Sequence, residues 1–267
     1  MARDKLLRAR QKLGKYRIER RLANGPRAAV YRAYDTIHGV KVALKIPHAG
    51  IMDEDFLDEF RREARLSVRM EHGNVLPIQN ASFIDDLFVI AMPLGIETLA
   101  DRMTRRMSTQ RALDFSTQAL AAVAHAHSRK IIHCDVKPEN FIIFEGNRLK
   151  LTDFGFSKIA LRTLKKGSGS GTVGYLAPEQ ALGRPMFQSD VFALGLVIYQ
   201  MFSGQLPEWP YKWPPPGYAR IRSKLRPKTL SWLRKSMEFR PQARYRSAVT
   251  MKRAYDAIRA KAVTHGR

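Results

Sequence analysis

The stretch from 133 to 155, HCDVKPENFIIFEGNRLKLTDFG, constrains this chain more than any other. Asp135 is followed by Lys137 two residues on and Asn140 five residues on. A second carboxylate, Asp153, comes eighteen residues after Asp135, directly before Phe154 and Gly155. Between them Phe141 to Phe144 and Leu149 to Leu151 read as two short strands around a turn at Glu145-Gly146-Asn147. A hairpin there folds Asp153 back beside Asp135 and Asn140. Two carboxylates, an amide and an ammonium around one small volume suit a magnesium-bound phosphate. Hard oxygen ligands hold the metal, and the lysine offsets charge on a transferred group.

These residues carry a resemblance. His133-Cys134-Asp135, Lys137 and Asn140, then Asp153-Phe154-Gly155, resemble the catalytic and metal loops of eukaryotic-type (Hanks-type) serine/threonine protein kinases. The likeness runs over about residues 16–250 and implies a minimal, bacterial-style kinase domain. The fold it implies is α+β and bilobal, with a small antiparallel β-sheet N-lobe carrying one main helix and a mostly helical C-lobe. The expected organisation is a basic N-terminal extension over 1–15, an N-lobe over 16–94 and a C-lobe over 95–267 ending in basic helices.

The resemblance also assigns roles. Asp135 orients a Ser/Thr hydroxyl and accepts its proton, Lys137 stabilises the transferring phosphoryl, and Asn140 and Asp153 ligate Mg2+. Lys45, in Val40-Lys-Val-Ala-Leu-Lys-Ile46, matches the lysine that holds the α- and β-phosphates of ATP. Taken alone it reads as a surface lysine, since lysines are seldom buried. Glu63 shares a helical stripe with Phe56 and Phe60 in a helix expected over 53–71, and is the implied partner of Lys45. Val30, Ala43 and Ile142 enclose the adenine. Met92 guards the back pocket, or Ala91 after a one-residue slip, and hinge contacts fall near Leu94. Leu22 and Gly25 belong to the loop that covers the phosphates. Two of the glycines usual in that loop are Ala23 and Ala28 here, which implies a stiffer cover and weaker ATP binding.

Downstream, a Gly/Ser-rich run precedes Thr172 and closes on Ala177-Pro178-Glu179, like an activation segment. Thr163, Ser168, Ser170 and Thr172 are its candidate phosphorylation sites, although the resemblance implies that Thr172 contacts Asp135 and Lys137 instead. Asp190 is expected to cap the catalytic loop and Arg244 to pair with Glu179. Cys134 stands where relatives carry an arginine that pairs with a phosphorylated activation segment. A thiol cannot neutralise a dianion, so activity independent of such docking is expected.

Composition limits the remaining classes. The single cysteine excludes an internal disulfide and suits a reducing compartment. The longest uncharged apolar run, 191–202, is too short to span a bilayer, and no apolar segment follows the basic N-terminus. A cytoplasmic protein without a transmembrane segment is the expectation. The net charge of +23 sits at the ends: 1–21 hold nine Lys/Arg against two Asp/Glu, and 210–267 hold sixteen against two. Such ends suit an acidic partner or nucleic acid, or simply a solvated surface. Residues 2–13 read as a short basic helix. His125 and His127 lack metal spacing and read as helix residues. The prolines from Leu206 to Pro216 read as an extended surface loop. Beside an active kinase for protein substrates, the sequence leaves open a pseudokinase or nucleotide-binding scaffold, and a basic nucleic-acid-binding protein on the same fold.

Overall fold

The computed structural model describes residues 7–48, 58, 61, 65, 70–154, 173–208, 210 and 212–262. It divides into two compact units, one of residues 1–71 with 76–96, the other of 72–75 with 97–267.

The first unit is an antiparallel sheet of six strands: β1 (Lys12–Leu13), β2 (Tyr16–Asn24), β3 (Ala28–Asp35), β4 (Val40–Pro47), β5 (Asn80–Ile84) and β6 (Leu87–Pro93), in the order β1-β2-β3-β4-β6-β5. Alternation along β3 and β4 sends Ala29, Tyr31, Ala33, Val42, Leu44 and Ile46 into one core, with Tyr16, Ile18, Val89 and Ala91. Val40, which shares that face of β4, is 46% exposed because it stands at the solvent end of the strand beside the turn. That turn is held by Asp35, whose Oδ1 accepts from the backbone N–H of Ile37 and His38, both at 3.0 Å. The basic helix expected over 2–13 does not extend into the described part of that span. Lys12 and Leu13 instead pair with Arg17 and Tyr16, and Leu13 enters the core. Gly14, at φ +53, makes the reversal that a helix would have precluded.

The second unit has a small sheet, β7 (Glu97–Thr98), β8 (Phe141–Phe144) and β9 (Arg148–Leu151), and helices α1 (Leu99–Met103), α2 (Thr109–Ser128), α3 (Pro178–Ala181), α4 (Phe187–Ser203), α5 (Tyr218–Arg222), α6 (Pro227–Ser236) and α7 (Ala248–Arg259). The hairpin read from the sequence is present: β8 pairs with β9 from Phe141↔Leu151 to Phe144↔Arg148, and Gly146 and Asn147 turn the chain at φ 69 and 58. Ser108 caps α2 by accepting from the Arg111 N–H. Helix α4 is apolar nearly all round and accordingly buried. Gly195 lets α6 approach it closely, since a Cβ there would fall 2.4 Å from Ser236 Oγ. The proline-rich loop packs on α4 through Tyr199, whose hydroxyl donates to the carbonyls of Pro215 and Pro216. Trp232, Leu233 and Met237 are buried. No helix of the described residues is long and apolar enough to cross a membrane.

Candidate active site

The loop carrying Asp135 is fixed from below by one carboxylate. Asp190, in the first turn of α4, accepts from the backbone N–H of His133 at 2.7 Å and of Cys134 at 2.8 Å. His127 adds a third bond. Its Nδ1 accepts from the Ala248 N–H at 2.9 Å, so Nε2 carries the proton and donates to Asp190 at 2.8 Å. His133 is set the same way: Nδ1 accepts from the Asp135 N–H at 3.3 Å, and Nε2 donates to the Thr152 carbonyl at 2.9 Å. Its ring meets Phe154 edge-on with centroids 4.8 Å apart. Cys134 has φ +64, and its carbonyl accepts from the Gln180 side chain.

On this base three predicted residues converge. Lys137 Nζ lies 2.9 Å from Asp135 Oδ2. The Asn140 amide donates to Oδ2 at 2.9 Å and to the Asp135 carbonyl at 2.8 Å. Asn140 closes a tight 3-10 turn that begins at Pro138, and its own carbonyl accepts from the Thr152 N–H at 2.9 Å. Asp153 is the next residue, at φ +65, so the hairpin returns the second carboxylate to the neighbourhood of Asn140.

In the N-terminal unit, strand register collects the nucleotide candidates on one face. Lys45 stands opposite Val30 on β3 and Ile90 on β6; Ala43 stands opposite Met92. Cross-strand partners share a face, so Val30, Ala43, Lys45, Ile90 and Met92 lie together on the side away from the core. Ala91 belongs to the core, which favours Met92 over Ala91 for the position read from sequence. Lys45 is buried at 6% exposure, unlike the surface lysine that its residue type alone suggests. Leu22 is exposed and Leu94 half-buried, and Ile142 lies on β8 in the other unit, opposite Lys150 and Thr98. The turn at Gly25 closes with its N–H on the Ala28 carbonyl at 3.0 Å. Gly25 does not have positive φ; Ala23 pairs with Val30 just past a register shift in β2, and Ala28 pairs with Pro47.

Glu63 and most of the helix expected over 53–71 lie outside the described residues, although 58, 61 and 65 are helical. Thr163, Ser168, Ser170 and Thr172 also lie outside them. The Arg244–Glu179 pair is present, at 2.8 Å and buried. Linear reading missed His127, His133 and Gln180 as supports of the loop. Nothing in their spacing marks them: apart from the Asp135 N–H beside His133, their partners are 19 to 121 residues away.

Among the described residues no group of three His, Cys, Asp or Glu side chains is placed to hold a metal ion. A magnesium site needs fewer protein ligands, because it keeps waters and takes phosphate oxygens. Asn140 fits that demand: its N–H groups are spent on Asp135, which leaves its amide oxygen as a ligand beside a carboxylate.

The protein kinase domain family model matches residues 16–236. The chain is 36% identical over 202 residues to the serine/threonine-protein kinase PrkC of Bacillus subtilis, covering 73% of this chain and 31% of PrkC. It is 33% identical over 209 residues to the serine/threonine-protein kinase PknA of Mycobacterium tuberculosis, covering 73% of this chain and 48% of PknA. It thus spans a third to a half of the length of these curated relatives. The crystal structure of the M. tuberculosis PknI kinase domain superposes with a TM-score of 0.69 over 94% of this chain and 99% of that one, at 24% identity, a likeness of fold. An antiparallel sheet unit and a helical unit, with a catalytic-type loop held on α4, are the parts of the protein-kinase fold, and the chain belongs to the protein kinase domain family.

Proposed function

We propose that this chain is the catalytic domain of a protein kinase that transfers the γ-phosphoryl group of Mg-ATP to Ser or Thr hydroxyls of a protein substrate. The observation that carries the reading is the cluster of Asp135, Lys137 and Asn140, with Thr152 bonded to Asn140 so that Asp153 follows alongside. In this reading Asp135 orients the acceptor hydroxyl and takes its proton. Lys137, already beside Asp135, neutralises charge on the group in transfer. Asn140 and Asp153 hold Mg2+. Mg-ATP, when bound, supplies the phosphoryl group and the divalent charge over it.

The N-terminal unit contributes Lys45, with Glu63 as its partner, for the α- and β-phosphates. Val30, Ala43, Met92 and Leu94, with Ile142 from the C-terminal unit, take the adenine; Leu22 and Gly25 belong to the cover. Cys134 in place of an arginine makes turnover independent of a docked activation-segment phosphate. The similarity to PrkC and PknA supports Ser/Thr specificity. We further infer that the chain acts in the cytoplasm as an N-lobe over 16–94 and a C-lobe over 95–267, with basic residues 1–15 ahead of them. The basic ends suit an acidic partner or nucleic acid.

Transfer of labelled phosphate from ATP to a generic acceptor protein tests this reading. The expected result is transfer by the wild type and a fall of about 100-fold or more in Asp135→Asn and Asp153→Ala, with both variants folded by circular dichroism. A wild type that binds Mg-ATP without turnover would instead support the scaffold reading, toward which the alanines of the cover loop point.

A further inference from the structure

A second concave site lies in the C-terminal unit, on residues that phosphoryl transfer does not use. A hollow of about 740 Å³ is lined by Arg102, Arg106, Ser108, Arg111, Arg220 and Lys224, where the end of α1 and the start of α2 meet α5. No carboxylate and no aromatic ring lines it. Backbone carbonyls hold several of its cations in place. Arg102 Nη1 donates to the Arg106 carbonyl at 3.2 Å, Arg220 Nη1 to the Ser203 carbonyl at 3.2 Å, and Lys224 Nζ to the Phe202 carbonyl at 2.9 Å. The Arg111 guanidinium lies 5.8 Å from the centroid of the Phe115 ring. Arg102, Arg106, Arg111 and Arg220 make no ion pair among the described residues.

The backbone is shaped around this arrangement. Gly204 adopts φ +76, and a Cβ there would fall 2.9 Å from Arg220 Nη1. Burial, with Arg220 and Arg106 beside it, holds the Lys224 ammonium below the usual lysine range. Like charges packed this closely repel unless an anion joins them. The start of the 20-residue α2 adds its own partial positive charge. The Ser108 hydroxyl oxygen accepts from the Arg111 N–H, which leaves its O–H to donate.

We propose that this hollow binds a phosphate monoester. Several guanidiniums, an ammonium and a hydroxyl match a compact dianion with three acceptor oxygens. A single-stranded nucleic acid wants aromatic platforms for its bases, and the lining offers none. The monoester has two possible sources, a phosphorylated residue of a polypeptide or a free phosphorylated metabolite.

The test is fluorescence anisotropy on the full chain without ATP, using a labelled phosphoserine peptide and its unphosphorylated twin. Ribose 5-phosphate and inorganic phosphate serve as competitors. The phosphopeptide is expected to bind at least about 10-fold more tightly than its twin. Arg106→Glu and Arg106→Gln, at an exposed position, each weaken it by about 10-fold or more. Arg253→Glu, an equal charge reversal on the exposed side of α7, changes it less than about 2-fold. Competition by ribose 5-phosphate at matched concentration assigns the free metabolite; its failure assigns the polypeptide. Equal binding of the two peptides, or equal loss in the Arg106 and Arg253 variants, overturns the proposal. So does an Arg106-dependent preference for single-stranded RNA.

Discussion

Arg244 holds Glu179 with both prongs of its guanidinium, Nη1 2.8 Å from Oε1 and Nη2 3.1 Å from Oε2. The arginine also donates to the carbonyls of Gln188, Glu238 and Phe239, so one side chain ties α3 to the segment before α7. Removing it leaves a buried carboxylate with, among the described residues, only the Ser189 hydroxyl as donor. Arg244→Met is expected to cost about 3–5 kcal/mol. Arg244→Lys should recover only part of that, since an ammonium lacks the fork. All three tryptophans lie in the C-terminal unit, so urea unfolding followed by tryptophan fluorescence reads the loss there. A midpoint for Arg244→Met equal to that of the wild type would show that the pair is dispensable.

Asp190 stabilises a backbone and not another side chain alone. Asp190→Ala strands the N–H groups of His133 and Cys134 in a buried setting, at about 1–3 kcal/mol for each. Hydrogen exchange at those two amides should accelerate by about 10-fold or more, and phosphoryl transfer should fall with it. Unchanged protection at both amides would mean that the loop holds its shape by other means.

The stacked pair His72 and His125, with ring centroids 4.7 Å apart, carries a pH signature. Burial lowers both pKa values; the neighbouring His125 and Lys150 lower His72 further, and Arg129 does the same for His125. The folded state keeps the pair neutral while the unfolded chain takes up protons below about pH 6.5. Stability therefore falls as pH drops through that value and is restored above it. Urea midpoints at pH 5.5 and 7.5 should differ in the wild type and converge in His72→Phe/His125→Phe. A double variant as pH-sensitive as the wild type would assign the effect elsewhere.

Cys134 carries the regulatory expectation. Its buried side chain has no guanidinium to offer a phosphate, so phosphatase treatment of the purified chain should change turnover by less than about 2-fold. A loss above about 10-fold would place phosphate recognition on another residue.

Local pattern made the centre of the site legible. The β8–β9 hairpin was visible because apolar strand residues flank a Gly-Asn turn. The supports under the loop were not visible. His127 sits two residues from His125 on one helix, yet one stacks on His72 and the other bonds Asp190; only the fold separates them. Lys12 and Leu13 failed as a helix because their pairing with β2 depends on Gly14, a single-residue signal inside a basic run. Lys45 needed both its neighbours in register and the family likeness, since lysine is seldom buried.

The packing of α7 bears on how this chain can be shortened. The family match stops at 236, but Trp232 Nε1 donates to the Met251 carbonyl at 3.0 Å, and the Arg226 N–H and Thr229 hydroxyl both bond the carbonyl of Ala262 at 3.0 Å. Through Ala248 the same helix fixes the tautomer of His127, and with it the floor under Asp135. Expression trimmed at the match boundary would therefore strip away a wall of the catalytic unit, and 262 is the earliest stopping point that preserves it.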